Sequence, residues 1–377
     1  MKLALHYEMA RPVLDDHLLM EETLEQIISA DEVGFDYVWL VEHHFLTGFS
    51  GCPANDIIYG ALSQRTKQIR LGLGVVVLPL HHPVQVAERV AVLDHLAEGR
   101  VDFGTGRSAV YELEGMGVDT RDSRSMWDES LTMVPKIWDS DWFSWEGKHW
   151  NVPPRQVLPK PFQDPHPPIW VAALQPATYR IAAEKGIGVL AMGASDPTVL
   201  EPHIREFHDT PASSPVGSSI NNQWGSQTIG ICTEDSKLGR EMATKSIKTF
   251  YGPDRPYAKS QADLYSKLIK QWGGLPDHQV RDFGRAVELE GVKVPDQDTP
   301  DFITQKLWED LDADTLCDRA VIIAGDPDGC IAGLKKHEAA GVDQMLISMQ
   351  TDTVPHEVVM KSIDLYGKYV IPEFKKA

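Results

Sequence analysis

The sequence predicts an α/β fold closed as a (β/α)8 barrel, with insertions in the C-terminal half. Three observations carry this. Short apolar runs recur about once every thirty residues, each followed by an amphipathic helical stretch, which is the rhythm of a parallel sheet with crossover helices. About eight such runs fit a chain of 377 residues as one TIM barrel. The first strand-to-loop junction, LALHYEMARP, lacks the glycine-rich turn that a doubly wound dinucleotide-binding sheet would carry.

Taken in order, LALHY (3–7) is the first strand, and a helix follows from about His17 to Val33. YVWLV (37–41) is the second strand, before a helix that opens at Pro53 and ends near Arg65. IRLGLGVVVLP (69–79) is the third. In the helix of 82–100, Val86, Val90, Leu93 and Ala97 share one face and Gly99 stops it. VDFGTG (101–106) is the fourth strand, and a helix from about Ser123 to Trp138 leads into an aromatic, proline-rich connection over 142–168. PIWVAAL (168–174), IGVLAM (187–192) and SQTIGICT (226–233) continue the strands, with a helix at ATYRIAAEKG between the first two. The polar, proline-interrupted stretch at about 252–310 breaks the rhythm and reads as a lid or insertion within a single domain spanning 1–377. After it come a loop at VIIAG, a helix opening near Pro327, a last strand before Met349 and a terminal helix over about 355–369.

Composition narrows the function classes. The formal net charge of −19 argues against a nucleic-acid-binding surface or attachment to anionic lipid, both of which need clustered Lys and Arg. The four cysteines, Cys52, Cys232, Cys317 and Cys330, show no CxxC spacing, so free thiols in a reducing compartment are expected. His6, Glu8 and Arg11 interrupt any apolar leader, and no apolar run approaches 18 residues, so a soluble, cytoplasmic chain is expected.

The polar residues at strand ends are the candidate chemistry, because loops after the strands build the site of such a barrel. His43 and His44 follow strand two in VWLVEHHF, and Glu42 beside them is placed to orient an imidazole. A histidine there can equally hydrogen-bond a neighbouring loop. His81 and His82 follow strand three in LPLHHP, with Pro83 suited to the first turn of the next helix. The two pairs match no compact ligand spacing, so no protein-bound metal is expected. Arg107 follows strand four in GTGRSAV, where Gly104 and Gly106 allow close backbone approach and a guanidinium suits an anion. Arg121 and Arg124 stand at the start of a helix, where an arginine needs a carboxylate neighbour or a ligand phosphate. Trp142, Trp145 and Trp150 could cover a substrate channel or pack the barrel rim; the sequence leaves both open.

EHHF (42–45), GLGVVVLPLHHPVQVAE (72–88), LDHLAEGRVDFGTGR (93–107), GVDTRDSR (117–124), IWVAALQPATYRIAAEKG (169–186) and VIIAGDPDGCIAGLKKHEAAGVDQMLI (321–347) together resemble the bacterial-luciferase-like, flavin-dependent monooxygenases, in that family's order and spacing. The resemblance implies non-covalent binding of reduced FMN, reaction with O2 through a C4a-(hydro)peroxyflavin, and oxygenation of a small organic substrate. It further implies a separate NAD(P)H-dependent flavin reductase and a homodimer paired through helices flanking the early strands, with the helix at 83–97 as interface. The family's active-site histidine maps onto His44, with His82 beside it as a second catalytic candidate. Arg107, Arg124 and Thr178 map onto the flavin phosphate site, and a non-proline cis peptide is expected at Gly74–Val75. Gly106 stands where the light-emitting members carry a reactive cysteine, which separates this chain from bioluminescence. F420-dependent hydride transfer and a non-catalytic flavin-binding subunit are the alternative readings.

Overall fold

The computed structural model describes residues 1–10, 15–251 and 312–375, with scattered positions between 263 and 271; the expected lid at 252–310 otherwise lies outside the described residues. Eight parallel strands close on themselves: β1 (Lys2–Tyr7), β2 (Tyr37–Leu40), β3 (Arg70–Val77), β4 (Val101–Gly106), β7 (Ile169–Ala173), β8 (Gly188–Ala191), β9 (Trp224–Cys232) and β11 (Gln344–Ser348). β11 returns to β1 with Leu346 opposite Ala4, which completes the barrel. Each sequence-predicted strand is one of these eight. β5 (Phe143–Glu146) and β6 (Asn151–Arg155) form a separate antiparallel hairpin, and β10 (Ile323–Gly325) lies beside the end of β9.

Local chemistry sets the boundaries. α1 (Asp16–Val33) starts where the Asp15 carboxylate accepts from the His17 and Leu18 N–H groups, and stops at Gly34 in a left-handed conformation. β3 ends at Val77, two residues short of the expected run, because Pro79 has no N–H and a 3-10 turn over Leu78–Leu80 follows. α2 (Asn55–Ser63) and α3 (Pro83–Leu96) pack side by side outside the barrel, and α3 ends at Leu96 rather than Arg100 because Glu98 and Gly99 both turn to positive φ. The outer faces of these two helices, where pairing was expected, expose Ile57, Val92 and Leu96.

The aromatic, proline-rich connection contains this antiparallel hairpin. It is fastened to α5 (Ser123–Asp139) by Glu129, whose carboxylate accepts from Trp145 Nε1 at 2.9 Å, His149 N at 3.0 Å and Trp150 N at 3.1 Å. Trp145 and Trp150 therefore pack the rim, while Trp142 is exposed. VIIAG, expected as a loop, supplies the three residues of β10.

Inside the barrel, Trp39 and Trp170 meet edge to face at 5.4 Å, among Ala4, Tyr37, Leu190 and Leu346. Their indole N–H groups are satisfied: Trp39 donates to Gln344, and Trp170 donates to Asp102 Oδ1 at 2.9 Å. Asp102 is also held by Arg70 Nε at 2.6 Å. Gly72 and Gly74 exist opposite Trp39 because a Cβ at either would lie 2.3 Å or 2.9 Å from its ring. The Gly74–Val75 peptide is cis, and the β3–β4 register shifts between Leu73 and Val76 at the same place. That bulge explains Gly104 and Gly106: a Cβ at Gly104 would sit 2.1 Å from Leu73 O, and one at Gly106 2.6 Å from Val75 Cγ2. Because the obstacle at Gly104 is backbone, Gly104→Ala is expected to destabilise the fold by about 3 kcal/mol, measured by urea unfolding; an unchanged midpoint would show that β3 and β4 separate freely.

Candidate active site

The loops after β1, β2, β3 and β4 converge on one cluster at the C-terminal mouth of the barrel. The two histidines of EHHF follow the end of β2 and take different partners. Tyr37 and Trp39 of β2 pack in the lumen and Val38 and Leu40 outside it, and the alternation ends with the strand.

His43 is bracketed by carboxylates. Its Nδ1 lies 3.0 Å from Glu112 Oε1, and its Nε2 lies 3.6 Å from Glu8 Oε2 at the end of β1. Burial would lower its pKa, but the two carboxylates prevail and raise it to about 9. Glu112 is fully buried, on the short helix α4 (Val110–Gly115) that follows β4. It also accepts from His44 N at 2.7 Å, Ala109 N at 3.2 Å and the Ser108 hydroxyl. These donors and His43 outweigh burial and hold its pKa below the usual glutamate value.

His44 belongs to a second knot. Its Nε2 donates to Glu42 Oε1 at 3.1 Å, and His81 Nε2 donates to the same oxygen at 2.6 Å. Glu42 Oε2 accepts from Val77 N at 2.8 Å. Burial of Glu42 opposes ionisation, yet the donors from His44, His81 and Val77 bring its pKa down to about 2. The contact between Glu42 and His44 that adjacency suggested is thus made, and His81 joins it.

Three non-glycine residues at these strand ends hold positive φ: Met9 at 57°, Phe45 at 63° and Ser108 at 64°. Such backbone costs about 1–3 kcal/mol per residue and persists where surrounding contacts impose it. Here Ser108 is held by Glu112, and the Phe45 ring packs over the Cα of Gly115. The loop after β2 closes the cluster, with Ser50 Oγ donating to Glu8 O at 2.7 Å and Phe49 set between His43 and Phe250.

The other expected site residues lie on the segments that follow β3, β4 and β7. His82 caps α3, its Nδ1 accepting from Val84 N at 3.2 Å, with its ring against Trp150 at 5.0 Å. Arg107 follows β4, partly buried, and Thr178 stands in the first turn of α6 (Pro176–Lys185) after β7, the neighbouring barrel strand. Arg124 is exposed in the first turn of α5. Gln175 makes no side-chain cap to α6, but Pro176 has no N–H and Thr178 N donates to Gln175 O at 2.9 Å, so the hydroxyl of Thr178 is the donor that this turn offers. Among the described residues, no group of three or more His, Cys, Asp or Glu is arranged to hold a metal ion, and no helix is long and apolar enough to cross a membrane.

Residues 15–344 match the family described as luciferase-like monooxygenase. The chain is 33% identical over 278 residues to the oxygenase component of a flavin-dependent trigonelline monooxygenase from Acinetobacter baylyi, spanning 71% of this chain and 74% of that one. The chain belongs to the luciferase-like monooxygenase family. It is also 31% identical over 195 residues to a limonene 1,2-monooxygenase from Rhodococcus erythropolis, half of this chain and 48% of the other. The oxygenating constituent of the 3,6-diketocamphane monooxygenase of Pseudomonas putida, a type II Baeyer–Villiger enzyme solved with FMN, shares the fold with a TM-score of 0.74 at 18% identity, over 99% of this chain and 98% of that one.

Within this luciferase-like barrel, His43 and His44 were both strand-end candidates in the sequence, and nothing there placed Glu8 or Glu112 beside His43. Glu8 and Glu112 join it only through three-dimensional closure. Glu42 provides the sharpest test of the outer knot. Its folded pKa lies below the ordinary value of 4.5, so its stabilisation is present above pH 4.5 and is lost as the pH falls towards 2. Glu42→Gln is expected to cost about 2 kcal/mol at pH 7 by chemical denaturation, and the gap to wild type should narrow below pH 4.5. A gap independent of pH would refute the charged knot.

Proposed function

We propose that this chain is the oxygenating component of a two-component monooxygenase, which takes reduced FMN from a separate NAD(P)H-dependent reductase and transfers one oxygen atom of O2 to a small organic substrate. The observation that carries the reading is His43, an imidazole bracketed by two buried carboxylates at the mouth of a closed barrel. The relative from Acinetobacter baylyi, named as an oxygenase component, supports the division of labour, and the FMN in the Pseudomonas putida structure supports the cofactor.

The residues present fit a flavin mononucleotide. The Thr178 hydroxyl in the first turn of α6 and the guanidinium of Arg107 after the adjacent strand are donors of the kind a phosphate takes; Arg124 adds a cation nearer the surface. The Gly74–Val75 bulge offers backbone, without a bulky side chain, to a flat ring. Bound reduced FMN supplies the electron pair that activates O2, so that one oxygen atom goes to substrate and the other leaves as water.

The chain's own contribution is proton placement and enclosure. His43 carries a proton at neutral pH, and Glu112 fixes its ring through Nδ1, leaving Nε2 as the nitrogen that exchanges a proton. His44, bound through Nε2 to Glu42, braces the loop. The catalytic role that the family resemblance placed on His44 therefore moves to its neighbour in this reading, and His82 positions α3. Phe49, Phe250 and Phe45 supply the apolar cover.

Anaerobic titration is expected to show tight binding of FMNH2, weaker binding of reduced riboflavin, and at least a tenfold loss of FMNH2 affinity in Arg107→Ala. Binding of reduced F420 in place of FMNH2 would reject this reading for hydride transfer. In turnover with 18O2, His43→Gln is expected to lower product formation by about 10²–10⁴-fold, with the oxygen diverted to hydrogen peroxide, and His44→Gln by no more than about tenfold. The reverse order would return the proton chemistry to His44.

A further inference from the structure

Glu8 brackets His43 on the side away from Glu112, and its own setting is unusual. It is 5% exposed, at the end of β1, and among the described residues its Oε2 is buried with no hydrogen-bond partner. Ser50 and Gly51 close over its backbone, with Ser50 Oγ donating to Glu8 O and Gly51 N donating to Met9 O at 3.2 Å. The charged and titratable groups that face this pocket come from every element around it: His6 on β1, Glu42 and His43 after β2, Cys52 in the covering loop, and Glu112 on α4.

Among the described residues, the polar groups near His6 on the same strand are engaged with one another. Gln227 accepts from Gly193 N through Oε1, which fixes its amide, and donates from Nε2 to Ser348 Oγ at 2.9 Å. Ser348 Oγ lies 2.9 Å from His6 Nδ1. Burial holds His6 neutral, its pKa brought down to about 3, chiefly by desolvation with the charge of His43 adding to it. We assign the Ser348 hydroxyl proton to His6 Nδ1, so that the single ring proton of His6 stays on Nε2, which is itself buried without a partner. His6 cannot take a proton from Glu8 under these conditions. That leaves His43 Nε2, at 3.6 Å, as the one ring nitrogen paired with Glu8 among the described ion pairs.

A buried carboxylate without a hydrogen bond is costly, so Glu8 has two low-energy states: ionised and drawn onto His43 Nε2–H, or protonated and neutral. We propose that Glu8 is the proton reservoir of His43, a positioning residue that sets the charge on Nε2 and restores its proton after each transfer. The step balances. The His43 Nε2–H bond breaks as its proton passes to a base that develops on the substrate. The Oε2–H bond of Glu8 then breaks and its proton passes to Nε2, leaving a carboxylate that solvent protonates in turn. Glu112, held by four donors, keeps the ring fixed throughout. The direction of the pH effect follows from burial, which pushes the Glu8 carboxyl up to about 7. Below neutrality Glu8 is charged with a proton and His43 faces one carboxylate. Above it, ionised Glu8 retains the His43 proton and has none to supply.

This inference rests on the reading of His43 as the proton carrier, and the test separates the two. In the apoprotein, 15N-edited NMR of the His43 ring is expected to show two inflections: one near neutrality, where Glu8 titrates, and one near pH 9. In Glu8→Gln, a close isostere, the lower inflection should vanish, and Glu8→Asp should keep it at a shifted pH. Infrared difference spectra of the wild-type chain, which need no variant, should show a protonated carboxyl band lost through neutral pH. Turnover with FMNH2 should fall about tenfold per pH unit above neutrality in wild type, and that limb should be absent in Glu8→Gln at unchanged FMNH2 affinity. A ring titration indifferent to Glu8→Gln overturns the proposal, as does a lost inflection with an unchanged rate profile. Failure of the chain to bind FMNH2 would defeat the monooxygenase reading and leave the ring titration and the infrared band to decide the role of Glu8.

Discussion

Trp39 is the constraint from which the site is built. A tryptophan in the lumen of an eight-stranded barrel takes the room of several ordinary side chains, and the strand beside it answers with Gly72 and Gly74. β3 can then bulge at Gly74–Val75, and the bulge leans on β4, which answers with Gly104 and Gly106. The mouth of the barrel on this side is consequently lined by backbone. Asp102 and Arg70 satisfy the polar edge of Trp170 and anchor the lower layer.

Above that floor the structure concentrates buried charge. Glu8, Glu42 and Glu112 would each be costly in isolation, and each stands beside a histidine. The three differ in how well they are satisfied. Glu42 and Glu112 collect several donors and are held ionised, while Glu8 has one loosely placed partner and titrates in the neutral range. Such a spread among neighbouring carboxyls divides the site into fixed charge, which orients imidazoles, and exchangeable charge, which moves protons. The strong net negative charge of the chain has no part in this, since the carboxylates that matter are withdrawn from solvent.

The fold was largely legible. All eight barrel strands follow from apolar runs of the right length, and α1 and α3 follow from their caps and their buried stripes. Boundaries slipped where one residue overrode the pattern, as Pro79 did after β3 and Glu98–Gly99 after α3. The hairpin β5–β6 was hidden because prolines and aromatics obscure alternation, and a single buried acceptor, Glu129, holds it in place. The site was legible in part. The cis peptide falls at Gly74–Val75 as the family resemblance implied, and Glu42 orients His44 as adjacency suggested.

By itself the sequence determined the barrel, its direction and the set of strand-end residues from which a site could be made, because those depend on local period and on which residue follows which strand. Tertiary structure decided which of them meet. Glu8, His43 and Glu112 come from loops after three different strands, 35 and 69 positions apart in the chain for the two contacts that His43 makes (43 − 8 and 112 − 43), and only barrel closure brings them within 4 Å. The same closure gives His43 and His44, adjacent in sequence, different carboxylates: Glu8 and Glu112 for the first and Glu42 for the second.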